Sequence, residues 1–186
     1  MSLLGFCEWL AGTRGSIALH ESLYMYPLVE SAHVLTLCLF AGTAMMLDLR
    51  LLGLRLRSVP VSEVFDRLLP WTKAGFAVMV VTGAMLFYAI PVRTYQSIFF
   101  RIKVVMLILA AVNVAVFHGR VEPTIGAWDS APSTPRGARL AATASLALWA
   151  GVIVAGRMIA YNWFDCDIQP QPAFVNWAAG CAVAPR

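Results

Sequence analysis

Four long apolar segments dominate this chain and restrict its fold more than any other feature. At 1.5 Å of helical rise per residue, each is long enough to cross most of the roughly 30 Å hydrocarbon core of a bilayer. The composition agrees, because 60% of the residues are hydrophobic and only 13% are charged. Segments of alternating polarity, which would predict barrel strands, do not occur. The sequence therefore predicts an all-α integral membrane four-helix bundle, with spans at about 23–47, 74–90, 99–117 and 140–161.

Prolines mark the expected ends of these helices. Pro60 and Pro70 are expected to bracket a separate amphipathic segment before the second span. Pro91 is expected to end that span, because a proline cannot continue the hydrogen-bonding pattern of a helix. The first helix is expected to continue beyond the membrane as far as Leu52.

The chain is expected to divide into a transmembrane domain, 1–161, and an exterior tail, 162–186. Its N-terminal residues lack the pattern of a signal peptide. Leu3, Phe6 and Trp9 instead predict a helix that lies in the membrane surface. Of the fourteen Lys and Arg residues, eight lie in the loops after the first and third spans. This bias favours cytoplasmic loops, with both termini on the other side.

Glu30 and His33 place two ionisable groups well inside the first span. Side chains three residues apart project from nearly the same side of a helix, so the carboxylate and the imidazole can act together. Polar groups at such a depth are costly and are often functional. Arg157, near the outer end of the fourth span, is expected at a similar depth. We therefore expect an intramembrane ion pair between Glu30 and Arg157, because either charge alone would be expensive.

His33 is also the candidate axial ligand of a haem b, because an imidazole on a bundle-facing helix is the usual ligand in membrane cytochromes. Small residues on the fourth span would leave room for the macrocycle, and Arg157 could neutralise a propionate. The second ligand would be His118 or His20. Helical rise puts His118 about 13 Å from the level of His33. Pro27 would let the segment that carries His20 fold back.

Two alternatives for His33 remain open. Glu30 and His33 could form one arm of a metal site that binds copper or iron, although a second Glu-x-x-His arm is missing from the sequence. The cluster could also hold helices together without any cofactor.

Two of the four cysteines, Cys166 and Cys181, lie in the tail. In an oxidising compartment a disulfide bond between them would restrain the tail, but spacing alone does not determine the pairing.

Four motifs invite comparison with known families: ESLYMYPLVESAH at 21–33, DLRLLG at 48–53, NVAVFH at 113–118 and GRMIAY at 156–161. With them the chain resembles an uncharacterised family of small four-helix proteins of the bacterial inner membrane. The resemblance implies a multi-pass protein of that membrane. The layout is also distantly similar to b-type cytochromes and to the membrane domain of copper-resistance proteins, which is an analogy of architecture alone. Three histidines allow at most one bis-histidine haem per chain.

The leading functional hypothesis is a membrane-embedded b-type haem protein that passes electrons between quinone and a periplasmic partner, as a subunit of an oxidoreductase. One alternative is a metal-binding or permease-like module that uses Glu30 and His33. Another is a structural or assembly subunit without a cofactor, in an oligomer or a larger membrane complex. The net charge of +4 is explained by loop arginines that face anionic lipid headgroups, so no nucleic-acid partner is expected.

Overall fold

A computed structural model describes residues 2–131, 133–161, 164, 166 and 168–181. This part of the chain contains α-helices and no strand, which confirms the predicted all-α class. A π-helical turn, Phe117–Val121, and a 3-10 segment, Glu122–Ala127, follow the sixth helix. The helices are α1 Leu3–Ala11, α2 Arg14–Glu21, α3 Met25–Leu51, α4 Val61–Ala89, α5 Pro91–Tyr95, α6 Ile98–Val116, α7 Arg136–Ala160 and α8 Ala173–Ala179.

Four of these helices are long and apolar enough to cross a membrane: α3, α4, α6 with its extension, and α7. Helix α6 shows this most clearly, because Val105, Ile108 and Val112 each expose more than half of their surface. A continuous apolar surface of this kind would be unfavourable in water and is suited to lipid. The chain is therefore a multi-pass membrane protein, as the sequence predicted.

The four long helices pack in the order α4, α3, α7, α6. Helix α3 contacts both α4 and α7, and α6 lies against α7. Two stacked aromatic pairs connect the outer members of this row. Phe87 of α4 stacks on Phe100 of α6 at 5.5 Å between ring centroids, and Phe65 stacks on Phe117 at 5.7 Å near the opposite end. The row is thereby closed into a bundle at both ends.

The predicted break at Pro70 is wrong, because α4 is one continuous helix from Val61 to Ala89 and contains Pro70 in its interior. A proline removes one hydrogen bond of a helix, and packing along α3 offsets that loss here. The other expected ends are close to the observed ones. Helix α3 continues to Leu51, and Pro91 follows the end of α4 and begins α5.

The N-terminal residues form two short helices instead of one. Thr13 caps the second, α2, by accepting a hydrogen bond from the Ser16 amide. The Thr13 hydroxyl also bonds the Tyr88 hydroxyl at 2.8 Å, and the Ser16 hydroxyl donates to the Tyr88 carbonyl at 2.7 Å. These bonds attach α2 to the end of α4. Leu3 and Trp9 of α1 are exposed, and their location in a membrane surface stays a prediction.

The tail is attached to the same end of the bundle. The Arg101 guanidinium of α6 donates to the carbonyls of Ala178 and Ala179, at 2.6 and 2.8 Å, at the C-terminal end of α8. A cation near a helix C-terminus interacts favourably with the helix dipole. Cys166 and Cys181 are joined by a disulfide bond, the pairing that the sequence suggested. The predicted tail, 162–186, lies partly outside the described residues.

Candidate functional site

His33 lies on the face of α3 that packs against α4. Its Nδ1 atom is 2.9 Å from the Thr82 hydroxyl. That hydroxyl donates its single hydrogen to the Val78 carbonyl at 2.8 Å, with a second, longer contact to the Met79 carbonyl. A hydroxyl has only one hydrogen, so the Thr82 oxygen accepts from Nδ1–H when its own hydrogen goes to the Val78 carbonyl. In that tautomer the lone pair of His33 is on Nε2.

The register between α3 and α4 brings the imidazole close to the backbone of α4. Thr72 donates to Thr43 at 2.8 Å about three turns further along the same interface. Beside His33, a Cβ added to Gly83 would lie 3.2 Å from Cε1 of the ring. The absence of a side chain at Gly83 therefore lets the half-buried His33 ring approach α4 closely.

Lys103 of α6 adds a cation to this layer, and its charge interacts with the His33 imidazole. The side chain extends towards α7, because a Cβ added to Gly156 would lie 3.4 Å from the Lys103 ammonium nitrogen. Among the described residues no carboxylate lies within ion-pair distance of Lys103. We name His33, Thr82 and Lys103 the His33 layer. It combines an imidazole lone pair with a nearby ammonium group inside the bundle.

The predicted ion pair between Glu30 and Arg157 is wrong. Both residues are exposed, and the described part of the chain contains no ion pair between them. The Arg157 guanidinium instead donates to the Tyr161 hydroxyl at 2.8 Å and lies 4.7 Å from the centre of that ring. Glu30 lies on the second turn of α3 and is exposed, whereas His33 contacts α4.

The two other histidines lie elsewhere. His118 follows α6 at the far end, where Nδ1 contacts the Val114 carbonyl at 2.9 Å and Nε2 is 3.3 Å from the Glu122 carboxylate. Helical rise puts it roughly 30 Å from the start of α6, whereas His33 is roughly 12 Å from the start of α3. His20 lies on α2, edge-on to Tyr26 at 6.3 Å between ring centroids, and lines an outer cavity of about 320 Å³.

The chain therefore does not bring His118 to the level of His33 for a shared iron. Among the described residues, no three His, Cys, Asp or Glu side chains lie close enough together to hold a metal ion. The sequence predicted His33 correctly as a bundle-facing residue, but it did not single out Thr82 as its partner. Lys103 could have been found from the sequence, because it lies five residues into an apolar span, where charged residues are rare and often functional.

The sequence matches a family model over most of its length. The model describes a family of unknown function, DUF6644, and it matches residues 8–162. The chain belongs to DUF6644. All four membrane-spanning helices and the entire His33 layer lie within the DUF6644 region. The disulfide and α8 follow after that region.

No curated protein and no solved structure matches this DUF6644 chain. The distant likeness to b-type cytochromes and copper-resistance proteins is therefore not shown by the comparisons. The DUF6644 description does not supply an activity, so the His33 layer is the only basis in the described residues for proposing a function.

Proposed function

We propose that this chain is a redox protein of the bacterial inner membrane, in which His33 supplies an axial ligand for haem b. In this role it serves electron transfer between quinone in the bilayer and a periplasmic partner. One observation carries the proposal: Nδ1 of His33 is hydrogen-bonded to the Thr82 hydroxyl, and with Nδ1 as the donor the Nε2 lone pair is available to a ligand. A ligating histidine typically donates its other ring N–H to a fixed acceptor, which orients the ring and raises its basicity.

The surroundings of His33 fit a haem in two further respects. Lys103 supplies a positive charge at the level of His33, where Arg157 was expected to serve the propionates. Gly83 and Gly156 let the His33 ring and the Lys103 side chain pack closely on α4 and α7, which holds both groups in place. When bound, haem supplies one-electron redox chemistry. His118 contacts the Val114 carbonyl and His20 lies against Tyr26, so neither histidine shares the contact that His33 makes with Thr82.

The proposed orientation places both termini in the periplasm. Eight of the fourteen Lys and Arg residues lie in the two loops at the opposite side or in the adjoining halves of the helices, which favours a cytoplasmic location for those loops. The Cys166–Cys181 disulfide supports the same orientation, because such bonds persist in oxidising compartments such as the periplasm.

Reduced-minus-oxidised spectra of protein purified from haem-replete cells test the proposal. Wild type and the matched control His118→Ala should show Soret and α bands, whereas His33→Ala should lose them. Thr82→Val should weaken haem retention by about 10- to 100-fold, because it removes the acceptor that orients the ring. The proposal fails if wild type has no bands after full haem supply, or if His33→Ala retains them.

A cofactor-free assembly subunit is the second candidate, and one observation favours it. The His33–Thr82 hydrogen bond joins α3 to α4 and serves helix packing even without a ligand. In that case His33→Ala would lower stability or change assembly without any spectral consequence. A metal-binding or permease-like role is less favoured, because Glu30 is exposed and does not share the His33 contact with α4.

A further inference from the structure

A cavity of about 330 Å³ lies at the end of the bundle opposite His33, and the proposed redox function does not use it. It is bounded by the C-terminal turn of α3 and by the segment that precedes α7. We name it the Arg50 cavity. Its lining residues are Arg50, Gly53, Arg57, Ser130, Ala131 and Thr134.

Arg50 is the residue that most needs an explanation, because this charged side chain is only 3% exposed. Its Nε donates to the Val59 carbonyl at 2.8 Å, and its Nη2 to the Asp129 carbonyl at 3.3 Å. These neutral acceptors fix the guanidinium without neutralising it. Within the described part of the chain no carboxylate lies at ion-pair distance from Arg50. A buried cation of this kind is stabilised by an anion.

The carboxylate of the nearby Asp129 is hydrogen-bonded to Ser62 and not to Arg50. Its carboxylate accepts from the Ser62 hydroxyl at 2.6 Å and from the Ser62 amide at 2.8 Å, at the start of α4. These two hydrogen bonds, followed by smaller contributions that include Arg50, hold the pKa of Asp129 below its usual range. Asp129 therefore stays ionised as a helix cap, and it does not line the cavity.

The other lining groups are also suited to an anion. Arg57 is exposed, and its Nε donates to the Gly53 carbonyl, which holds the side chain at the rim. Gly53 has a φ of 68°, a conformation that favours glycine and permits the turn between the two arginines. Ser130 and Thr134 add hydroxyl groups. No acidic side chain is among the described lining residues, so the cavity has two guanidinium groups and two hydroxyls.

We propose that the Arg50 cavity binds a phosphate group. Guanidinium groups bind phosphate with short, charge-assisted hydrogen bonds, and hydroxyls complete such sites. A phospholipid headgroup and free phosphate share this chemistry. The position at the end of a membrane-spanning helix, in a loop rich in arginine, is where anionic headgroups lie. This inference is independent of haem binding, because the cavity and the His33 layer are at opposite ends of the bundle.

The test uses the full chain in zwitterionic detergent. Thermal unfolding is measured during titration with phosphatidylglycerol, phosphatidylcholine or inorganic phosphate, and lipid retained after washing is quantified. Phosphatidylglycerol should raise the unfolding temperature and remain bound, whereas phosphatidylcholine should not, because its own choline cation balances the charge of its phosphate and is repelled by the two guanidinium groups. Arg57→Gln should weaken binding by about tenfold, which is typical of losing one charge-assisted contact. Arg55→Gln is the matched control, because Arg55 is exposed in the same loop but does not line the cavity.

Ser130→Ala provides a second variant that removes one lining hydroxyl and leaves both arginines. It should weaken binding less than Arg57→Gln does. A response to inorganic phosphate equal to that of phosphatidylglycerol would support the site and assign it to a soluble phosphate. The proposal is overturned if neither compound is preferred over phosphatidylcholine. It is also overturned if Arg55→Gln and Arg57→Gln weaken binding equally, since the effect would then be diffuse surface charge.

Discussion

Gly75 of α4 packs directly on the backbone of α3, and its replacement by alanine tests the helix register that positions His33. A Cβ at Gly75 would lie 3.1 Å from the Phe40 amide nitrogen, and 3.3 Å from both Cα and Cβ of Phe40. Backbone atoms cannot rotate away, so the two helices must separate. Overpacking of this kind costs about 1–3 kcal/mol. The same change gains about 1 kcal/mol of helix propensity, because glycine is a poor helix former.

Gly42→Ala is the matched control, because Gly42 lies in α3 and a Cβ there would have nothing within 4 Å. The propensity gain is common to both variants, so their difference isolates the contact with α3. We expect Gly75→Ala to have a free energy of unfolding lower than that of Gly42→Ala by about 1–3 kcal/mol. Reversible unfolding by sodium dodecyl sulfate in mixed micelles, followed by circular dichroism, measures this difference.

With the other five tryptophans replaced by phenylalanine in both variants, the fluorescence of Trp149 gives a local signal for the same contact, since its ring lies 4.5 Å from that of Phe40. Its unfolding transition should shift together with the circular dichroism. If Gly75→Ala is as stable as Gly42→Ala, α3 and α4 do not meet in this register. The His33–Thr82 bond, which belongs to the same interface, would then lose its support.

Three further predictions concern the ends of the bundle. Ser62→Ala removes the hydroxyl bond that lowers the pKa of Asp129. Because a lowered pKa stabilises the fold above the unfolded value, about 4, the variant should lower the unfolding temperature at pH 7 and progressively less as the pH falls below 4. Arg101→Gln should speed proteolysis between α7 and α8 about tenfold, since it frees α8. Alkylation followed by mass spectrometry should modify Cys166 and Cys181 only after reduction; their modification without reduction would contradict the disulfide.

The long helices were predictable because the bilayer imposes a minimum length and an apolar composition on any segment that crosses it. The ends of these helices were less predictable. Local rules treat Pro70 as a boundary, because it removes a hydrogen bond. The contacts that α4 makes along α3 outweigh that loss, and a single sequence does not reveal them. Pro91, which lies where packing between α3 and α4 ends, marked its boundary correctly.

The candidate site was predictable only in part, for a geometric reason. Residues three apart on an α-helix differ by about 60° in direction, because each residue turns the chain by 100°. That difference allows His33 to contact α4 while Glu30 is exposed, so grouping the two on one stripe led to the wrong ion pair. Thr82 lies 49 residues from His33 in the chain. Only the packing of α3 on α4 makes them neighbours.

The charge of Lys103 is the strongest argument for a bound group at the His33 layer. An unpaired lysine inside a spanning helix is unfavourable, by about 2.5–3.5 kcal/mol at the helix centre and by less at the depth of Lys103, and helix packing alone does not require it. An imidazole is either neutral or positively charged, so His33 cannot compensate that charge. A haem would satisfy both groups, because its iron would take the imidazole lone pair and a propionate would pair with the ammonium. Arg50 presents a related situation at the opposite end, where a buried cation is hydrogen-bonded to two carbonyls and the nearby Asp129 carboxylate is bonded to Ser62. Each end of the bundle thus holds a fixed cation that favours an anionic ligand.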